Sequence, residues 1–142
     1  MILHINTAKT WRGGEQQLFY LAVGLQEKKI PQIVIGQPDS ELEKKCKEKK
    51  IPFEPVKIYS ELDLFAVKKI RQIAIKNKAH LIHTHSAKAH SIGLLVKRKM
   101  PELKLVVARR VDFHINKNWF SKKKYLSPLN DLFICVSKKI KE

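Results

Sequence analysis

Six short apolar runs alternate with helix-patterned segments along the 142 residues, and no other feature limits the fold so tightly. The runs are residues 2–6, 33–35, a short stretch around Phe53, Val56 and Ile58, residues 81–84, 103–108 and 132–136. Between them lie segments whose apolar residues recur at three- and four-residue spacing, such as Leu18, Leu21, Ala22 and Leu25 within residues 15–28. Strands that alternate with helices call for a parallel sheet covered on both faces. Right-handed crossovers then give a doubly wound, Rossmann-like α/β domain with strand order 3-2-1-4-5-6, spanning residues 1–142.

The turns carry their own signals. Ser40 with Glu43, and Ser60 with Asp63, have the spacing of a capping box, in which side chains satisfy the free N–H groups of a first helical turn. From Ser60 the reading predicts an apolar stripe of Leu62, Phe65, Ala66, Ile70, Ile73 and Ala74, opposite Lys68, Lys69, Arg71 and Lys76. Leu42 and Cys46 give the preceding helix one thin apolar edge. Pro101 ends a helix of residues 87–99, and Ser137 reads as the N-cap of a helix that scarcely begins before residue 142.

The chemistry concentrates where the fourth strand runs into its helix, at Leu81-Ile82-His83-Thr84-His85-Ser86-Ala87-Lys88-Ala89-His90. His83 and His85 share one strand face, and His85 falls at the carboxyl end, where open α/β sheets bind ligands. Ser86 as N-cap and Lys88 in the first turn suit an anion. A metal reading of His83, His85 and His90 finds no nearby carboxylate to complete the site, so no metal is expected. His4 reads as a satisfied core or edge histidine, and His80 and His114 as surface or loop residues. Gly13-Gly14, between the first strand and first helix, is either a tight turn or bare backbone that lets a phosphate approach a helix N-terminus. Arg109-Arg110, leaving the fifth strand, either clamps a phosphate or carboxylate or only solvates its loop. No nucleophile elbow is present, and Cys135 in its apolar run reads as inert core.

Charge narrows the partners. Twenty-nine Lys and Arg against thirteen acids give +16, and residues 97–142, with thirteen basic and four acidic residues, carry +9 of it. Such an excess favours an anionic partner. Lysine dominates arginine, and aromatics do not interleave with the bases as a stacking platform would. An anionic membrane surface is therefore preferred to nucleic acid, with Lys97, Arg98, Lys99, Lys122, Lys123 and Lys124 flanking a Trp119-Phe120 tip. Two unpatterned cysteines and no signal peptide read as a cytoplasmic chain with reduced thiols.

Four motifs in order complete the reading. Trp11-Arg12-Gly13-Gly14-Glu15-Gln16-Gln17, residues 82–89, Arg109-Arg110-Val111-Asp112-Phe113 and Ile134-Cys135-Val136-Ser137 together resemble the N-terminal domain of GT-B-fold, retaining glycosyltransferases of family 4, of the bacterial cell-surface polysaccharide and lipopolysaccharide type. The resemblance implies one Rossmann-like half of a two-domain enzyme, with the donor-binding C-terminal half and its glutamate pair absent, so that the chain alone is not expected to turn over. It implies a nucleotide-sugar donor, a glycan or lipid-linked acceptor, and neither metal nor other cofactor. Gly13 and Gly14 would approach the donor diphosphate and His85 would face the transferred sugar. Lys88, Arg109 and Arg110 are the candidate acceptor-binding residues. His90 stands where relatives commonly carry glycine. Localisation on the inner face of the cytoplasmic membrane would follow from a lipid-linked acceptor. The rival expectation is a non-catalytic basic module that binds an anionic membrane or nucleic acid.

Overall fold

The computed structural model describes residues 1–109 and 128–135. Ten elements follow one another: β1 (Ile2–Ile5), α1 (Gly13–Glu27), β2 (Gln32–Gly36), α2 (Glu41–Glu48), β3 (Phe53–Pro55), α3 (Leu64–Lys76), β4 (Leu81–Thr84), α4 (Ala87–Lys99), β5 (Lys104–Arg109) and β6 (Leu132–Cys135). The six strands form one sheet of order β3-β2-β1-β4-β5-β6, and every neighbouring pair is parallel. The expected Rossmann-like architecture and its strand order are therefore present. β1 and β4 lie side by side, with His4 opposite His83 and Ile5 opposite Thr84, so the order reverses between them. Ligand crevices open at that reversal, outside the carboxyl ends of the strands.

The two faces of the sheet differ in chemistry. On one, Leu3, Ile5, Ile33, Ile35, Ile82, Leu105 and Val107 pack against Ala66, Val67, Ile70, Ile73 and Ala74 of α3 and Ala89, Ile92 and Val96 of α4. Burying each large aliphatic side chain there stabilises the fold by about 1.5–3 kcal/mol. The other face holds a smaller cluster, in which Val34 meets Leu18 and Ala22 of α1 and Leu42 and Cys46 of α2. Alternation along β1 sends Leu3 and Ile5 to the first face, leaving His4 to the second.

Helix ends explain where local reading and structure part. Ser40 caps α2 as expected, its hydroxyl accepting from the Glu43 N–H at 3.2 Å. For α3 the cap is Asp63, not Ser60: its carboxylate accepts from the Ala66 N–H at 3.1 Å and the Tyr59 N–H at 3.0 Å. Those two backbone hydrogen bonds hold the Asp63 carboxyl below the usual carboxylate range. Starting the helix at Leu64 turns the buried stripe to residues 66, 67, 70, 73 and 74. Leu62 and Phe65 consequently face solvent, Phe65 at 89% exposure, contrary to the expected stripe. Leu21 of α1 is likewise exposed, and β3 ends at Pro55, with Val56 and Ile58 buried beyond it.

Three helices stop by one device that the sequence reading missed. Lys29, Lys50 and Lys78 adopt left-handed backbone (φ 59°, 58° and 52°) just after α1, α2 and α3. The following N–H returns to a carbonyl five residues back: Ile30 to Leu25, Ile51 to Cys46 and Ala79 to Ala74. This is the Schellman arrangement, with lysine where glycine is usual.

Two helical glycines make opposite demands. A Cβ on Gly93 of α4 would lie 2.8 Å from Thr84 Cγ2 and 3.1 Å from Leu105 Cδ1, whereas one on Gly24 of α1 would meet nothing within 4 Å. The closeness of α4 to the sheet thus depends on Gly93. Gly93→Ala should lose about 1–2 kcal/mol in urea unfolding, overpacking outweighing the gain in helix propensity. Gly24→Ala should gain about 0.5–1 kcal/mol.

Candidate functional site

Residues from β1, β2 and β4 form a polar file beneath α1 that runs from Gln32 at the amino end of β2, through His4 in β1, to His85 at the carboxyl end of β4. His4, His83 and His85 are all buried, and one ring nitrogen from each lies within 4.8 Å of those of the other two. His4 Nδ1 is 3.1 Å from His85 Nε2, and His4 Nε2 is 3.0 Å from Gln32 Oε1. The Gln32 side-chain nitrogen donates to the Ala22 carbonyl of α1 at 2.6 Å. The His83 and His85 rings lie 3.9 Å apart at 43°, and His4 is tilted against both. His85 itself is held by its own N–H, which donates to the Ile5 carbonyl at 2.9 Å.

The loops after β1 and β4 are joined. Thr7 Oγ1 and Ser86 Oγ are 2.8 Å apart, and Ser86 caps α4 by accepting from the Ala89 N–H at 3.2 Å. Asn6, fully buried at the end of β1, accepts from the Ala8 N–H at 2.8 Å. Its amide nitrogen has no hydrogen-bond partner among the described residues. Gly13 and Gly14 form the first turn of α1, and a Cβ on Gly13 would meet nothing within 4 Å. That backbone is approachable, as phosphate contact requires. Glu15 qualifies it: its carboxylate reaches back to the Arg12 N–H at 2.9 Å, so one helix-terminal donor is already met.

The metal grouping considered from sequence does not form. His90 lies on α4 across the sheet, where its Nε2 is 2.7 Å from Asn130 Oδ1 and its ring stands edge-on to Phe133. The imidazole that joins His83 and His85 is instead His4, and among the described residues these three are the group that could hold a metal ion. His4, expected as a satisfied core or edge histidine, is a core one; its association with His83 and His85 is not legible in the sequence, and neither is the part of Gln32. A glutamine just before an apolar run reads as loop, and only strand pairing brings it two positions from His4 on one face.

Other candidates separate. Lys88 is exposed in the first turn of α4, and Arg109 closes β5 at the carboxyl edge; Arg110 lies outside the described residues, as do Trp119, Phe120 and Lys122 to Lys124. Lys97 is not a free surface lysine: it is buried and ion-paired with Asp131. Burial pushes the Cys46 thiol up to about 12, so it is inert core.

With this geometry in place, comparison with known proteins decides the family. The family model described as Glycosyltransferase Family 4 matches residues 11–142. The chain belongs to glycosyltransferase family 4. Among curated proteins no relative matches the sequence. Solved structures share the fold of this family 4 chain across nearly all its length. HepE of Anabaena, crystallised with UDP, is 18% identical with a TM-score of 0.77, covering 98% of this chain and 38% of its own. A glycosyltransferase of Rickettsia africae is 22% identical with a TM-score of 0.74, covering 99% and 37%. The lipopolysaccharide outer core galactosyltransferase WaaB is 10% identical with a TM-score of 0.70, covering 99% and 41%. The family 4 chain thus has the fold of one Rossmann-like half of the GT-B glycosyltransferases and spans about two fifths of the length of these structures.

The Lys97–Asp131 pair has a measurable pH signature. The Lys97 ammonium, followed by the Leu105 N–H at 2.7 Å, holds the Asp131 carboxyl below its ordinary value. A carboxyl depressed on folding contributes stability above its unfolded pKa and loses it as pH falls through the folded one. Between about pH 5 and pH 3 the wild type should lose more stability than Asp131→Asn. Asp63 titrates in the same sense in both proteins, so the difference between their acid-side curves isolates Asp131.

Proposed function

We propose that the chain is the acceptor-side half of a metal-independent glycosyltransferase that moves a sugar from a nucleotide-sugar to a cell-envelope glycan or lipid-linked acceptor. The observation that carries this reading is the placement of His85 at the carboxyl end of β4, with its loop tied to the loop that leads from β1 to Gly13-Gly14. Family membership supports sugar transfer in general. A nucleotide-sugar donor is supported by HepE, whose structures hold UDP and UDP-glucose. WaaB, which acts on lipopolysaccharide outer core, supports an envelope acceptor.

In this reading Gly13 and Gly14 present bare helix-terminal N–H groups to the donor diphosphate, where the α1 dipole favours negative charge. His85 touches the sugar at the reacting centre by a hydrogen bond and is not a metal ligand. Lys88, Arg109 and Arg110 serve the acceptor side. The donor-binding half completes the cleft, and turnover requires it. The excess of positive charge holds the protein on the inner face of the cytoplasmic membrane, where anionic lipid attracts each nearby basic side chain by about 1 kcal/mol. No helix among the described residues is long and apolar enough to cross a membrane.

The test is a transfer assay of the complete protein over a panel of nucleotide-sugars and envelope acceptors. His85→Ala should lower turnover about 10²-fold or more, the scale of one lost transition-state contact. Transfer should survive EDTA. Undiminished transfer by His85→Ala, or its loss to the chelator, refutes the proposed site.

A further inference from the structure

Resting on that reading, we propose that His4 and Gln32 are positioning residues that hold His85 as its Nε2–H tautomer, so that neutral His85 meets a sugar hydroxyl as an acceptor through Nδ1. The direction of every hydrogen in the chain of contacts follows from the first one. The Ala22 carbonyl can only accept, so the Gln32 atom 2.6 Å from it is the amide nitrogen. Gln32 then turns its carbonyl oxygen to His4, 3.0 Å from Nε2. A carbonyl oxygen has no hydrogen to give, so His4 carries its proton on Nε2 and, when neutral, leaves Nδ1 bare. The His85 nitrogen 3.1 Å from that bare Nδ1 must therefore be Nε2–H. Neutral His85 has a single N–H, already used, and its remaining ring nitrogen is an acceptor.

Burial makes the assignment matter. His4 is 0% exposed, Gln32 4% and His85 5%, so water does not offer these groups alternative partners at low cost. The His83 ring, 3.9 Å from that of His85, opposes rotation of the imidazole out of line. The chain also ties α1, β2, β1 and β4 together, so the tautomer of the cleft residue is set from a carbonyl of α1, the helix that covers this face of the sheet. The hydrogen bond made by one ring nitrogen of an imidazole is a general way of settling how the other nitrogen serves a ligand. The ligand class that follows is a hydroxyl donor, as on a hexose, and not a second acceptor such as a bare carbonyl.

The experiment reads the tautomers directly in the 142-residue chain labelled with ¹⁵N-histidine. Two-bond ¹H–¹⁵N spectra at about pH 8, above the histidine range, distinguish protonated from bare ring nitrogens. Both His4 and His85 should be protonated at Nε2; a dominant Nδ1–H form of His85 overturns the proposal. Gln32→Met, of nearly the same shape, should give mixed tautomers at both rings, and an unchanged His85 spectrum overturns the relay. Stoichiometric zinc uptake with loss of the His4, His83 and His85 ring signals overturns it as well, because the rings would then be ligands.

The transfer assay of the complete protein tests the consequence. His4→Phe should lower kcat about tenfold with donor KM little changed. His4→Asn, whose side-chain oxygen can accept in place of Nδ1, should recover most of that loss, which a purely structural role would not allow. Full kcat in His4→Phe alongside an impaired His85→Ala overturns the positioning role. Full activity in His85→Ala refutes the functional reading instead, while the spectra still decide the relay.

Discussion

A file of hydrogen bonds from the Ala22 carbonyl through Gln32 and His4 to His85 is what the site depends on. An amide and two imidazoles taken out of water without partners would each cost on the order of 1–3 kcal/mol. Linked in this way they satisfy one another, and the linkage exists only while four elements keep their relative positions. The same bonds that make the buried polar face tolerable therefore locate the histidine at the crevice. Stability and site geometry are here one constraint.

The opposite face of the sheet permits that arrangement. Aliphatic side chains from β1, β2, β4 and β5 meet α3 and α4 in an apolar cluster, and Gly93 lets α4 approach the sheet closely. With most of the apolar burial on that side, the smaller cluster under α1 and α2 has room for polar residues. The doubly wound topology then brings the loops after β1 and β4 together at the reversal of strand order, as the Thr7–Ser86 contact shows.

Charge is distributed with more structure than the total of +16 suggests. Lys29, Lys50 and Lys78 sit in left-handed turns beyond helix ends, and Lys97 is consumed by Asp131 inside the fold. Cations near the C-terminal ends of helices complement the helix dipoles. Part of the basic excess is thus architectural, and only the remainder is available to an anionic partner.

The sequence by itself determined the architecture. Each strand is announced by a local run, and the first four crossovers by helical segments, so a parallel doubly wound sheet followed from rules that need no long-range information. His85 was legible for the same reason, since its place at a strand end is a property of one continuous segment, as were Gly13 and Gly14. Limits of local reading appeared first at α3, where Asp63 rather than Ser60 took the cap and turned Phe65 outward. The partnership of His4 and Gln32 with His85 was decided only by the tertiary structure. These residues lie 28 and 81 positions apart, and nothing in their local patterns marks them as neighbours. Only parallel pairing of β2, β1 and β4 sets their side chains on one face, because register is a property of paired strands and not of any one of them.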